Sequence, residues 1–128
     1  MPAMKILICD DSMFVRKKMK DAIIAAAPDA EIIEAVNGQK AVEKYQSEKP
    51  DLVFMDIIMP EKSGVDALVD IMAIDKNAKI VMASSVGTQE NLKQAIMAGA
   101  YDFLQKPIEN DDVAKIIERR QSDLKGDN

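Results

Sequence analysis

The stretch "DLVFMDIIMP", residues 51–60, decides the fold of this chain. Its four apolar residues from Leu52 to Met55 are too few for a globular helix. They form a continuous run, as expected for a strand that is buried on both faces. Asp56 follows that run directly, and three more apolar residues come after it. A lone carboxylate where a strand leaves the core, beside side chains that cannot hydrogen-bond it, is a candidate functional group.

Four other short apolar runs are spread along the chain and predict four more strands. They are Ile6 to Cys9, Ile32 with Ile33, Ile80 to Ala83, and Phe103 with Leu104. The segments between them have helical spacing, as in the stripe of Val15, Met19, Ala22, Ile23 and Ala26. Thr88 is a plausible N-cap of the fourth helix, with Glu90 in its first turn. Strict alternation of strands and helices predicts an α/β fold. We expect a five-stranded parallel sheet, doubly wound with five helices, in the flavodoxin-like order 2-1-3-4-5.

Composition limits the class of protein. The chain has 128 residues, of which 48% are hydrophobic and 30% are charged, so a single folded domain is expected. A formal net charge of −5 argues against nucleic acid or an anionic membrane as the main partner. Cys9 is the single cysteine, so no internal disulfide can form. The apolar run near the N-terminus is too short for a signal peptide or a membrane span, and we expect a cytoplasmic protein without membrane insertion.

Polar side chains follow the predicted strands where each one ends. Asp10 and Asp11 follow the first strand, Asp56 the third, Ser84 the fourth and Lys106 the fifth. Because parallel strands end at the same edge of a sheet, we expect these groups to meet in one crevice. Carboxylates at short range raise each other's pKa, so cations must balance them. Lys106 supplies one positive charge, and a hard divalent cation, Mg²⁺ or Mn²⁺, would supply the rest.

A bound cation and a lysine beside one carboxylate are the parts that phosphoryl transfer needs. That reaction depends mainly on positioning and on neutralising charge. Asp56 is the predicted nucleophile and would become an acyl phosphate. Its apolar neighbours would hold it rigid and limit the access of water to that labile anhydride.

Four motifs resemble a known family. In chain order they are "ILICDD", "FMDIIMPEKSG", "IVMASS" and "AGAYDFLQKP". They cover most of the chain, and the spacings from Asp56 to Ser84 and from Ser84 to Lys106 also match the family. The chain resembles the receiver domain of two-component response regulators, and in particular the single-domain chemotaxis type. The strand order 2-1-3-4-5 is itself a known property of that family.

The resemblance implies a role for each residue at the strand ends. Asp56 corresponds to the phosphate acceptor, and Lys106 to the lysine that contacts the phosphoryl oxygens. Asp11 and Asp56 correspond to direct metal ligands, together with the main-chain carbonyl of Ile58. Asp10 corresponds to a ligand that acts through water. These roles are consistent with the Mg²⁺ or Mn²⁺ site expected from the residue types.

The resemblance also implies a switch. Ser84 corresponds to the hydroxyl that moves to the phosphoryl group on activation, and Phe103 to the aromatic residue that turns inward with it. Phe103 replaces the tyrosine of the best-known chemotaxis member, so it cannot present a hydroxyl to a partner. The peptide bond between Lys106 and Pro107 corresponds to one that is usually cis in this family.

Two apolar residues depart from the common pattern of the family. Ile58 and Val86 occupy positions where polar side chains often orient the water that hydrolyses the acyl phosphate. We therefore expect slow self-dephosphorylation unless another protein assists.

The implied function is a signalling switch that catalyses only its own phosphorylation and dephosphorylation. Its donor would be a histidine kinase or phosphotransfer domain. Its target would be a protein such as the flagellar switch, contacted through the fourth helix, fifth strand and fifth helix, residues 88–120. We expect a monomer that does not bind DNA, with residues 1–128 forming a single receiver domain. Its core would span about 4–122 and a short polar tail would follow.

Other interpretations remain open at this point. The chain could be a stand-alone phosphorelay intermediate. It could also be a Mg²⁺-dependent phosphohydrolase of the haloacid dehalogenase type, although the nucleophile of that class follows the first strand in a D-x-D pattern and this chain has "CDDS" there. A flavodoxin-type ligand binder is disfavoured because the acidic "DDSM" would repel phosphate. The basic run from Arg16 to Lys20 is interpreted as a solvated helix face, or as a site for an acidic partner.

Overall fold

A computed structural model describes residues 3–85 and 87–126 and confirms the predicted architecture. The strands are β1 (Lys5–Cys9), β2 (Glu31–Ala35), β3 (Leu52–Asp56), β4 (Ile80–Ser84) and β5 (Asp102–Gln105). The helices are α1 (Met13–Ala26), α2 (Gly38–Glu48), α3 (Gly64–Ile74), α4 (Gln89–Met97) and α5 (Asn110–Gly126). The strands form one parallel sheet in the order β2-β1-β3-β4-β5.

The sheet is buried on both faces, because side chains alternate between two hydrophobic clusters along each central strand. Leu7 and Cys9 of β1 pack on the side of α2, α3 and α4. Ile6 and Ile8 pack on the side of α1 and α5. Phe54 on β3 is 1% exposed and joins the second cluster. The continuous apolar runs of the sequence therefore correspond to strands covered by helices on both sides.

Polar side chains start three of the helices. The hydroxyl of Ser12 accepts a hydrogen bond from the backbone N–H of Val15 at the start of α1. Asn37 and Ser63 accept equivalent bonds at the starts of α2 and α3. The predicted cap of α4 is different, because Thr88 occupies the N-cap position without a side-chain bond to the helix. Its hydroxyl is instead bonded to the backbone of Ser85. Thr88 is therefore the N-cap residue, as predicted, with Glu90 in the first turn, but its side chain does not bond the helix.

The register of the sheet places the functional strand ends side by side. Cys9 of β1 lies opposite Met55 of β3, so the residues that follow them, Asp10 and Asp56, leave the sheet at the same level. Asp56 in turn lies opposite Ala83, one residue before the end of β4. This arrangement brings the ends of β1, β3 and β4 to one edge, as the sequence predicts.

Gly64 fixes the loop after β3 by a close backbone approach. A Cβ atom at this position would lie 1.9 Å from the carbonyl oxygen of Asp56, so only glycine fits. The N–H of Gly64 donates to the carbonyl oxygen of Ile57 at 2.7 Å. Residues 57–63 are thereby folded back against the end of β3.

The C-terminal helix is longer than the sequence indicated. It continues to Gly126, so Lys125 and Gly126 of the predicted polar tail are helical, whereas Asp127 and Asn128 lie outside the described residues. Over the part of the chain that the structure covers, no helix combines the length and the apolar character that crossing a bilayer would require.

Candidate functional site

Lys106 links two carboxylates at the edge of the sheet. Its Nζ lies 3.1 Å from Oδ2 of Asp10 and 3.2 Å from Oδ1 of Asp56. The Asp10 side chain is 5% exposed, that of Asp56 11% and that of Lys106 22%, so the ion pairs are largely screened from solvent. The structure therefore brings together the ends of β1, β3 and β5 through one ammonium group. We call Asp10, Asp11, Asp56 and Lys106 the acid crevice.

Asp10 is held at every polar atom. Its N–H donates to the carbonyl oxygen of Ala35 at 3.1 Å, and its carbonyl oxygen accepts a bond from Arg16 Nη1 at 2.8 Å. Its Oδ1 accepts the backbone N–H of Ser12 at 2.8 Å, and its Oδ2 accepts Lys106 Nζ. Buried charge is tolerated when it is paired and hydrogen-bonded, and this residue meets both conditions.

The electrostatics of the crevice favour a further cation. Burial, followed by the charge of Asp10, raises the pKa of Asp56 above its usual range, although Lys106 and the backbone N–H of Ile58 act in the opposite direction. Burial lowers the pKa of Lys106, but the charges of Asp56 and Asp10 outweigh it, so that pKa lies above its usual value. Lys106 is therefore protonated at neutral pH and only partly compensates the carboxylates.

The third carboxylate completes a donor set suited to a hard cation. Carboxylate oxygens of Asp10, Asp11 and Asp56 lie within 4.8 Å of one another. Asp11 is exposed at the mouth of the crevice, in contrast to Asp10. Carboxylate oxygens open to water are the ligands that Mg²⁺ and Mn²⁺ prefer. The predicted grouping of the three acids is confirmed, and their chemistry fits a divalent cation.

The groups expected to form the switch lie on β4 and β5. Ser84, at the end of β4, is buried, and its hydroxyl is 3.5 Å from the carbonyl oxygen of Leu104. Its own carbonyl oxygen accepts the backbone N–H of Lys106 at 2.8 Å. Phe103 is 48% exposed and joins neither hydrophobic cluster. The structure thus places Ser84 at the end of the strand next to β3, which carries Asp56, and leaves Phe103 at the surface.

The remaining predicted positions have separate outcomes. The peptide bond between Lys106 and Pro107 is cis, as predicted. The side chain of Ile58 is 55% exposed, so an apolar surface stands beside Asp56. Val86 lies outside the described residues. Cys9 is buried in β1, and burial raises the pKa of its thiol.

One contact to the crevice was not anticipated. Arg16 belongs to the basic run that was interpreted as a solvated helix face, yet its side chain is 13% exposed and bonds both Asp10 and Glu34. The interpretation of a solvated face is therefore wrong for Arg16. Spacing could have given a signal, because Arg16 lies one turn after the N-cap Ser12 and so above the loop that precedes the helix.

One protein-family profile matches most of the chain. The profile described as "Response regulator receiver domain" matches residues 6–118. The chain belongs to this family. Receiver domains are signalling modules of two-component systems, so the resemblance seen in the sequence motifs is confirmed.

Individual relatives support a subgroup within the receiver family. The chain is 46% identical over 115 residues to the chemotaxis protein CheY of Thermotoga maritima, covering 90% of this chain and 95% of that protein. It is 45% identical over 117 residues to CheY of Bacillus subtilis, covering 91% and 97%. Among solved structures, the CheX-CheY-BeF3-Mg²⁺ complex of Borrelia burgdorferi aligns with a TM-score of 0.79 and 34% identity, over 94% of this chain and 89% of that one. This receiver is therefore CheY-like.

Proposed function

We propose that this receiver accepts a phosphoryl group on Asp56 with the help of Mg²⁺ and then signals through contact with another protein. One observation carries the proposal: carboxylate oxygens of Asp10, Asp11 and Asp56 lie within 4.8 Å of one another, and Lys106 pairs with two of these acids. Membership of the family suggests phosphoryl transfer as the reaction of these residues, because receivers are the phosphoryl-accepting partners in two-component signalling. A phosphohydrolase reading is disfavoured by the same family membership.

The transfer step needs a donor outside the chain. The sequence contains no histidine, so a phosphohistidine would belong to a kinase or phosphotransfer domain. A carboxylate oxygen of Asp56 attacks the phosphorus, the P–N bond breaks, and its electron pair goes to the departing imidazole nitrogen, which takes up a proton. Lys106 Nζ, at 3.2 Å from Oδ1 of Asp56, is placed to contact the incoming phosphoryl oxygens.

The metal would lie between the acids of the crevice. Asp11, Asp56 and the main-chain carbonyl of Ile58 would hold it directly, and Asp10 through a water molecule. When bound, Mg²⁺ would neutralise negative charge on the carboxylates and on the transferred group. The protein's own part is to fix these oxygens, as the hydrogen bonds of Asp10 do, and the apolar side chain of Ile58 would limit the access of water to the acyl phosphate.

The output surface would be formed by α4, β5 and α5. Phosphorylation would draw the hydroxyl of Ser84 toward Asp56 and turn Phe103 inward, which shifts a two-state equilibrium. Met97 on α4 is 88% exposed and Ile96 52%, so this face offers apolar area to a partner. The CheY relatives suggest a role in chemotaxis, with a monomer acting on a flagellar switch or similar target; a phosphorelay intermediate is the alternative.

Labelling with acetyl phosphate tests the proposal. Wild-type protein incubated with acetyl phosphate and Mg²⁺ should gain one phosphoryl group by intact mass, and Asp56→Asn should gain none. Asp66→Asn is the matched control, because Asp66 is an exposed aspartate on α3 outside the crevice. Equal labelling of Asp56→Asn and wild type would contradict the proposal. Hydrolysis of many equivalents of a phosphate ester without a lasting adduct would favour the phosphohydrolase.

A further inference from the structure

Arg16 connects the acid crevice to β2, the outer strand next to β1. It lies in the first turn of α1, directly above the loop that carries Asp10 and Asp11. Its Nη1 donates to the carbonyl oxygen of Asp10 at 2.8 Å, and its Nε donates to Oε1 of Glu34 at 3.0 Å. The planar guanidinium group thus bridges a loop carbonyl and a carboxylate on β2, which a flexible ammonium cannot do with the same geometry.

Glu34 is a fixed anchor for this bridge. It lies on β2, opposite Ile8 of β1, so its backbone belongs to the sheet. Its second carboxylate oxygen is 3.0 Å from Lys20 Nζ. The hydrogen bond from Lys20, with that from Arg16, lowers the pKa of Glu34, so the carboxylate is charged at neutral pH. Arg16 is therefore held from one side by a charged partner whose backbone belongs to the sheet.

The carbonyl that Arg16 binds lies in the peptide unit between Asp10 and Asp11. Fixing that oxygen fixes the plane of the peptide, because the bond has partial double-bond character. The orientation of the peptide sets the position of the Asp11 backbone. The carboxylate of Asp10 is held by Ser12 and Lys106, whereas Asp11 is exposed. Restraint of the Asp11 carboxylate must therefore come mainly through its backbone.

We propose that Arg16, anchored by Glu34, is a positioning residue that sets the direction of the Asp11 carboxylate for metal binding. This inference rests on the proposed function, since it concerns the same metal site. Arg16 touches neither the metal nor the phosphoryl group and acts only through the loop. Groups that orient metal ligands in this way typically change affinity about 10- to 100-fold when removed.

Simple electrostatics predicts the opposite sign. A cation close to a divalent-metal site repels the metal, so removing the charge of Arg16 should tighten binding if charge alone mattered. Loss of positioning should weaken binding. Lys17 provides a matched control, because it also carries a positive charge on α1, but it pairs with Asp21 of the same helix and not with the bridge. The sign of the change therefore separates the two explanations.

Titration with Mn²⁺ tests the inference. The loss of the free Mn²⁺ signal in electron paramagnetic resonance gives the dissociation constant without any phosphorylation. Arg16→Met should raise that constant about tenfold. Lys17→Met should leave it unchanged or lower it. Unchanged or tighter binding by Arg16→Met would overturn the inference, whereas a wild-type protein that binds no Mn²⁺ would instead contradict the proposed function.

Two further variants guard against a simple loss of folding. Arg16→Lys keeps the charge but lacks the planar fork that reaches both acceptors, so it should bind Mn²⁺ with intermediate affinity. Glu34→Gln removes the anchoring charge, and its effect should not add to that of Arg16→Met, because both break the same bridge. Thermal unfolding of each variant shows whether the fold is intact. Additive effects, or weakening that merely follows the loss of thermal stability, would contradict a positioning role.

Discussion

The two halves of the sheet's carboxyl edge are built differently. In the half formed by β1 and β3, Asp10 has a partner at every polar atom, and Lys106 reaches in from the end of β5 to bind two carboxylates. In the half formed by β4 and β5, the hydroxyl of Ser84 has one long contact of 3.5 Å, and Phe103 is half exposed. The helix that follows β4 starts without a side-chain cap.

Under the proposed function, this difference matches separate tasks for the two halves. Preorganised charges accelerate a reaction because they need no rearrangement when it occurs, which suits the half that holds Asp56. Side chains with few close contacts can change conformation at small cost in free energy, which suits the exposed ring of Phe103 and the weakly bonded hydroxyl of Ser84. The residue that reacts, Asp56, and the residues that respond, Ser84 and Phe103, would then be neighbours that differ in rigidity.

Two glycines give the largest expected contrast between the halves. Gly64→Ala should lower the free energy of unfolding by about 3 kcal/mol, because its Cβ would collide with the carbonyl oxygen of Asp56 at 1.9 Å. Gly87, in the loop after β4, has φ +95° and open space around it, so Gly87→Ala should cost only the backbone strain of about 1 kcal/mol. Urea unfolding measures both. Equal losses would show that the two halves are equally rigid.

Lys106 should have the largest effect on the chemistry. Replacing it with Met removes the ammonium that pairs with Asp56 and should slow labelling by acetyl phosphate about 100-fold. Lys93→Met is the control, because Lys93 is exposed on α4 and makes only a 3.8 Å surface pair with Glu90. A rate for Lys106→Met within twofold of the control would remove Lys106 from the proposed mechanism.

Ile58 should control the lifetime of the acyl phosphate. Ile58→Asn places a hydrogen-bonding side chain beside Asp56, where it can orient water, and should shorten the phosphoryl half-life about tenfold. The half-life follows from the loss of the adduct mass after acetyl phosphate is removed. Ile74→Asn changes an isoleucine of similar exposure, 48% against 55%, outside the crevice and should have no effect. An unchanged half-life in Ile58→Asn would contradict the expected slow self-dephosphorylation.

The smallest effect concerns stability without metal. Burial and the charge of Asp10 raise the pKa of Asp56, so the folded state binds this proton more readily than the unfolded state. Stability of the wild type therefore falls as pH rises through the raised pKa. Asp56→Asn should be more stable at pH 7 in EDTA, by at most about 1 kcal/mol after solvent screening. The difference should shrink toward a pH of about 4, and thermal melts across this range measure it. A destabilised variant at pH 7 would show that Lys106 fully compensates the carboxylates.

The sequence was sufficient for the architecture because the signals for it are local. Short apolar runs and helical stripes identify the elements, and parallel strands share one edge by geometry, so the convergence of Asp10, Asp11 and Asp56 follows from where the runs stop. The order of the strands follows a common pattern of doubly wound sheets, and the family resemblance added the individual roles of most site residues. The order is confirmed, and the roles stay predictions.

Contacts between distant segments could not be predicted in the same way. Arg16 looked like one of several basic residues, and only the three-dimensional structure shows that it bridges Glu34 and the carbonyl oxygen of Asp10. Thr88 has the residue type of a helix cap, but its hydroxyl closes a turn with Ser85 instead. In both cases the side chain had several possible partners, and its actual partner depends on the tertiary structure.

A crystal structure with Mg²⁺ and beryllofluoride tests the central claim most directly. The account predicts one Mg²⁺ at about 2.1 Å from carboxylate oxygens of Asp11 and Asp56 and from the carbonyl oxygen of Ile58. It also predicts beryllofluoride on a carboxylate oxygen of Asp56, within reach of Lys106 Nζ. A metal bound away from these acids, or beryllofluoride on another side chain, would contradict the account.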